Sequence, residues 1–250
     1  MGVSDVDFEV VLVDNGSTDG SAHKLARWAQ SHEVPLSEYS DPHEQPLKEI
    51  SQGRKSGMQH IILFSLSTNL GFCAGNNLGI RQAKINGIPY AVILNNDTII
   101  EPNFLSTLID YAEADPSIRL LGCQIRYADA RNTVWWAGGT FSFWLTGKRL
   151  YDGQLSSRLP DKPYPTEWVS GCMTLIPLPV FSRLGGYDER FFIWCDEWDL
   201  SLRVSRAGYK MMVVPSSVIY HKIGKSLGLN SPLTYYYSAS TKHHCYHTHI

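Results

Sequence analysis

Apolar and polar positions along the first half of the chain switch repeatedly between a period of two and a helical period. Phe8 to Val13 is a short β-branched run, and Ser21 to Gln30 takes helical spacing at Leu25 and Trp28. Ile61 to Phe64 predicts the next strand, Gly75 to Asn86 a helix, Tyr90 to Leu94 a strand, Asn103 to Ala114 a helix, and Arg119 to Arg126 a strand. This βαβα rhythm predicts an α/β domain with a mixed, mostly parallel sheet flanked by helices. A polar stretch at about 34–58, with Pro35, Pro42, Pro46 and Gly53, is long for a connection and reads as a surface insertion. The second half has another texture. Trp135 to Phe143 is rich in glycine and aromatics, Trp168 to Ile176 predicts a strand, and Glu197 to Ala207 a helix. Two short strands, Lys210 to Val214 and Ser217 to Tyr220, then lead into His221. With no linker or repeat between the halves, residues 1–237 read as a single domain and 238–250 as a divergent tail.

Composition narrows the class. The 250 residues are 43% hydrophobic, enough to bury a substantial core, and the formal net charge of −2 provides no field for nucleic acid. No run of about 18 apolar residues occurs, and no apolar stretch lies near Met1, so neither a spanning helix nor a secretory signal is expected and the location reads as cytoplasmic. The five cysteines, Cys73, Cys123, Cys172, Cys195 and Cys245, are odd in number and scattered without a CxxC pair. They read as reduced thiols rather than a disulfide framework or a zinc site.

Four strand-end loops carry candidate chemistry. In VDNGSTDGS (13–21) a strand runs into Asp14, placed to accept hydrogen bonds from a ligand, while Thr18 or Asp19 suits a helix cap. In NLGFCAGNN (69–77) glycines permit close backbone approach and a helix start offers free N–H groups, although the loop matches no phosphate-loop pattern. Asn95-Asn96-Asp97 closes the apolar run Tyr90 to Leu94 at the carboxyl end of a strand, where open α/β sheets bind ligands. The same residues also suit a cap for the helix after Pro102. Asp196, Glu197 and Asp199 crowd the first turn of a helix, which the macrodipole favours; neighbouring acids also raise one another's pKa and can yield a general base. Arg203 stands four residues after Asp199, at helix-pair spacing.

The order VDNGSTDGS, NLGFCAGNN, LNNDT (94–98), WVSGC (168–172), GGYDERFF (185–192), DEWDLSLR (196–203) and a late His221 before Gly224-Lys225-Ser226 resembles the inverting family 2 glycosyltransferases, especially their rhamnosyltransferase-like branch. The resemblance covers about Phe8 to Tyr237 and implies the GT-A fold of nucleotide-diphospho-sugar transferases. It also implies a nucleotide-sugar donor, with Asp14 on the base and Asn69, Gly71, Asn76 and Asn96 around the nucleotide. Asp97 takes the place of the metal-binding acid of a DxD-type motif whose leading acid is Asn here, with His221 as second ligand. Oxygen ligands suit Mg²⁺ or Mn²⁺, and the imidazole favours Mn²⁺. Trp168 and Gly171 match the donor-sugar and acceptor pocket. The family's acid pair appears as Asp196-Glu197, with Glu197 the first choice of base and Asp196 the second. The resemblance further implies a glycan or lipid-linked acceptor, a dTDP- or UDP-sugar donor such as dTDP-rhamnose, and peripheral contact with the inner face of the membrane.

Family members open with a further strand and helix before the segment matching Phe8 to Asp14, so the first strand is expected to be missing and two internal sheet edges exposed. Two other readings stand beside active transfer: a nucleotide-binding but inactive homologue, and a sugar-phosphate nucleotidyltransferase. The latter lacks a Gly-rich basic loop for triphosphate. His243, His244, Cys245, His247 and His249 are suitable zinc ligands, but such crowding at one terminus makes a poor tetrahedral site.

Overall fold

The computed structural model describes residues 6–40, 58–142, 146–223 and 232–249. The chain runs β1 (Phe8–Asp14), α1 (Ser21–Ser31), β2 (Leu36–Tyr39), β3 (Met58–Ser65), α2 (Gly71–Ile85), β4 (Tyr90–Leu94), β5 (Thr98–Ile100), α3 (Phe104–Ala114) and β6 (Ile118–Tyr127). It continues through β7 (Val134–Trp136), β8 (Gly139–Phe141), β9 (Gly147–Arg149), β10 (Tyr164–Pro165), β11 (Met173–Pro177), α4 (Leu178–Arg183), α5 (Asp196–Arg206), β12 (Lys210–His221) and α6 (Pro232–His249). The expected α/β class with a mixed sheet between helices holds.

The strands form two main sheets. One is parallel, in the order β1-β3-β2; the other is mixed, β10-β12-β6-β11-β4, with β5 on β12 and β7 on β6. β6 and β12 run parallel, whereas β11 is antiparallel to both β4 and β6. The carboxyl ends of β4, β6 and β12 therefore lie at the same end of the large sheet, and the turn after β4 leads into β5, which pairs with the end of β12 so that Thr98 lies opposite His221. Among the described residues, β1 pairs only with β3, and β4 only with β11. One edge of each thus has no strand beside it among the described residues, and helix α2 packs on both strands.

The core follows this division. A large cluster centred on Trp136, Leu121, Ile125, Met173, Leu175 and Phe191 fills the space around the mixed sheet. A smaller one, Ile62, Phe64, Leu66 and Leu78, lies under the parallel sheet. All five cysteines are buried as free thiols.

Several boundaries differ from the pattern, each for a local reason. Residues 36–39 of the expected insertion pair in parallel with β3, while 41–57 lie outside the described residues. Helix α2 starts at Gly71, four residues early, because the Phe72 N–H is met by the carbonyl of Phe192 at 2.6 Å. Strand β11 starts only at Met173, because Ser170 turns the chain: its carbonyl accepts the Met173 N–H and the Thr174 hydroxyl. The two strands expected at 210–220 are one strand whose pairing with β6 shifts register between Val214 and Val218. The stretch read as a tail, 238–250, is helical through His249.

Candidate active site

The strand-end loops form one continuous rim. Asp14 ends β1, and its carboxylate accepts the Ser17 N–H at 3.0 Å, which folds the following turn. Asn15, which no local pattern singles out, clamps that turn to the next loop. Its amide donates to the Gly71 carbonyl at 2.9 Å and its Oδ1 accepts the Leu70 N–H at 2.8 Å. Asn69 is exposed and accepts the Gly71 N–H at 2.9 Å. Gly71 has φ +85°, and a Cβ there would lie 2.7 Å from Phe192, so the close approach of these loops requires glycine. Asn76 turns its amide back to the Phe72 carbonyl, within its own helix. Its neighbour Asn77 bonds Tyr187 N and O and Glu189, joining α2 to the GGYDERFF segment. Asp19, one of two candidate caps, accepts the Ser21 N–H at 3.0 Å.

Beyond Phe192 the chain turns sharply through Trp194 and Cys195, both at left-handed φ (65° and 61°), and enters α5. Such consecutive positive φ values in non-glycine residues are strained and persist only where surrounding contacts hold them. The turn delivers Asp196 and Glu197 against the WVSGC loop: a Cβ on Gly171 would lie 3.4 Å from Asp196 Oδ2 and 3.8 Å from Glu197 Cβ. Asp196 is 3% exposed and its Oδ2 has no hydrogen-bond partner. Burial holds its carboxyl well above the usual carboxylate range, and the Glu197 charge adds to this. Burial likewise raises Glu197, the more accessible of the two. Asp199 faces away, bonded by Arg203 Nε at 2.9 Å, the helix pair that the spacing allowed.

The same WVSGC loop reaches the third motif, since the Cys172 carbonyl accepts the Asn95 N–H at 2.9 Å. Thr98 bonds back to the Asn95 carbonyl and enters β5, so Asn95-Asn96-Asp97 turns the chain into a strand rather than capping α3. Asn96 is exposed at the tip. Asp97 is tied to the end of β12 by its carbonyl, which accepts the Lys222 N–H at 3.0 Å, and by Oδ1, 3.1 Å from His221 Nε2. Two ligands at about 2.0–2.2 Å from one cation, at right angles, stand about 3 Å apart. The pair therefore fits one divalent ion. Burial pushes the His221 pKa down, which keeps the ring neutral as a ligand must be. The ring is braced by Trp135, edge-on at 4.7 Å, over which the Arg149 guanidinium stacks at 5.0 Å. Among the described residues, no group of three or more His, Cys, Asp or Glu is gathered as a metal site.

Trp168, expected in the sugar pocket, is 4% exposed. Its indole N–H donates to the Thr140 carbonyl, and its ring packs between Trp136 and Trp198. It supports the β8–β9 hairpin, whose Gly147 lies against the Trp198 ring of α5.

Comparison with known proteins bears on this arrangement. The family model described as Glycosyl transferase family 2 matches residues 4–176. The chain belongs to that family. Among its relatives, the N-acetylglucosaminyl-diphospho-decaprenol L-rhamnosyltransferase of Mycobacterium tuberculosis is 26% identical over 243 residues, 88% of this chain and 68% of the relative. Rhamnosyltransferase WbbL of Escherichia coli is 26% identical over 162 residues, 60% of each chain. This family 2 glycosyltransferase is thus rhamnosyltransferase-like. Two solved structures share its GT-A fold. One is GalNAc-T7 with UDP, GalNAc and Mn²⁺ (TM-score 0.61, 17% identity, 85% of this chain and 37% of that one). The other is the Pyrobaculum calidifontis mannosyltransferase with GDP-Man and Mn²⁺ (TM-score 0.53, 17% identity, 88% and 49%). The chain thus spans less than half of either solved chain.

Proposed function

We propose that this family 2 glycosyltransferase moves a sugar from a nucleoside diphosphate, a dTDP- or UDP-sugar with dTDP-rhamnose first among them, to a hydroxyl of a cell-surface polysaccharide or lipid-linked glycan, inverting the anomeric centre. One observation carries the reading: the Gly171-Cys172 step touches the acid pair on one side and the Asn95-Asn96-Asp97 turn on the other. The residues proposed as base and metal ligands thereby share one rim with the loops of Asp14 and Asn69. Relatives with rhamnosyltransferase names support the donor class, and the mycobacterial relative's name supports a diphosphate-lipid acceptor.

In this mechanism Asp14, Asn69 and the backbone at Gly71 hold the nucleoside, and Asp97 and His221 would hold Mn²⁺ or Mg²⁺, which would supply stabilisation of the negative charge developing on the departing diphosphate. Glu197 accepts the proton of the acceptor hydroxyl as its oxygen bonds to the anomeric carbon. The bond from that carbon to the diphosphate oxygen breaks with its electron pair, and a single displacement inverts configuration. Burial raises both carboxyls and the two titrate as a pair, with Glu197 the more accessible member to meet an acceptor. Glu197→Gln lowers transfer by about 10²–10⁴-fold while UDP binding survives; wild-type turnover in that variant would overturn the base assignment. Asp97→Ala and His221→Ala abolish the dependence of UDP affinity on Mn²⁺, read by calorimetric titration with and without the metal.

A second reading, nucleotide binding without turnover, is favoured by the edges of β1 and β4 that have no strand partner among the described residues. Metal-dependent binding of UDP or dTDP with neither donor hydrolysis nor transfer would support it.

A further inference from the structure

Helix α6 packs along the rim of the site, and between its two ends Thr241 Oγ1 lies 3.7 Å from Cys195 Sγ and His244 packs edge-on to Phe191. Near its start Tyr237 stacks on Phe192, with ring centroids 4.7 Å apart and planes 15° apart. Phe192 is the residue whose carbonyl receives the Phe72 N–H. At its end His249 lies in the seam with α5, and its side chain and that of Asp199 are each 2% exposed. His249 Nε2 lies 2.8 Å from Asp199 Oδ1, and Nδ1 lies 2.6 Å from Arg206 Nη1. A guanidinium only donates, so Nδ1 is the acceptor and Nε2 carries the hydrogen given to Asp199. Arg206 Nη2 also donates to the His249 carbonyl at 2.7 Å.

These bonds complete a network around the first turn of α5. The second oxygen of Asp199 is held by Arg203, whose Nη1 also reaches the carbonyls of Leu184 (2.8 Å) and Gly186 (2.7 Å). The Asp199 N–H donates to the carbonyl of Cys195, at the strained turn, at 2.9 Å. No side-chain cap holds the start of α5. A turn with two left-handed residues relaxes unless its neighbours over-determine it; here Thr241 Oγ1 reaches Cys195 Sγ, and Asp199 is fixed by three partners, Arg203, His249 and the Cys195 carbonyl. Truncating His249 leaves a buried carboxylate oxygen without its donor, a change a packed seam relieves only by moving.

We propose that His249 is a positioning residue of the acid pair: by fixing Asp199 it holds the first turn of α5, and with it Glu197, at the angle at which an acceptor hydroxyl is met. The proposal rests on the glycosyltransferase reading above. It is tested on the full chain with His249→Ala and His249→Gln, whose side-chain amide keeps an N–H for Asp199. In His249→Ala, kcat falls by about 10²-fold, the cost of ångström-scale misplacement. KM for the donor and the affinity for UDP stay near wild type. Amide exchange over 194–200 becomes about tenfold faster, with the remaining amides unchanged. His249→Gln restores both readouts. Wild-type kcat and exchange in His249→Ala would overturn the proposal, and so would a Gln variant as impaired as Ala with exchange raised throughout the chain, the mark of a general packing role. Should the wild-type chain show no transfer, the glycosyltransferase reading fails by itself. The exchange comparison then still decides the contact: acceleration confined to 194–200 and reversed by Gln supports it, and unchanged or uniform exchange sinks it.

Discussion

At Gly171 the missing side chain lets the loop pass close over the acid pair. A valine there would push its methyl groups toward Asp196 Oδ2, already 3.4 Å from the Cβ position. Gly171→Val is therefore expected to lower kcat while UDP affinity is retained, a split visible in steady-state kinetics beside calorimetric titration. The acids themselves carry a pH signature. Both are raised by burial, so the neutral forms suit the folded state. Their contribution to stability is full below the ordinary carboxylate range, near pH 4, and is lost as pH rises through the raised values. Asp196→Asn removes that loss, so the difference in melting temperature between this variant and wild type shifts in the variant's favour from pH 5 to pH 8 in a thermal scan. Turnover runs the other way, because the base must be ionised. The acid limb of kcat/KM falls above the ordinary Glu value of about 4.3 and disappears with Glu197→Gln.

Among the elements, those with a clear period were legible in the sequence, and those set by contacts from far along the chain were not. β1, α1, β4, α3, β6 and α5 fall within a residue or so of their expected bounds, because their apolar spacing faces one core. Helix α2 and strand β11 begin elsewhere because Phe192 and Ser170 decide their first hydrogen bonds, and no local pattern announces either. The site divides similarly. Asp97 beside His221, and Asp196 and Glu197 under Gly171, were readable as motif order. Asn15 was not, since an Asn after an Asp in a turn reads as ordinary turn chemistry. Yet Asn15 joins the β1 loop to the start of α2 through two hydrogen bonds, and Asn15→Ala is expected to cost about 1–3 kcal/mol and to weaken UDP binding. Urea denaturation and a UDP titration measure the two effects. Trp168, which the resemblance assigns to the segment lining the donor-sugar and acceptor pocket, is buried and carries the hairpin above α5, a packing role that no local pattern announces.

Over the whole molecule, the split between the parallel and the mixed sheet has a thermodynamic consequence. No strand ladder joins the two sheets among the described residues, and each has its own apolar cluster. The two halves are then coupled chiefly through α2 and the loops it holds, and unfolding loses its all-or-none character. The tryptophans happen to report on this separately: Trp28 alone belongs to α1, and the other six lie between Trp135 and Trp198. Comparing the wild-type emission with that of Trp28→Phe along a urea gradient isolates the Trp28 signal. That signal should change at lower urea than the rest, giving two non-coincident transitions. A nucleotide that bridges Asp14 on one half and Asp97 on the other would draw those transitions together, so donor binding should be read as much in the merging of two melting steps as in a higher midpoint.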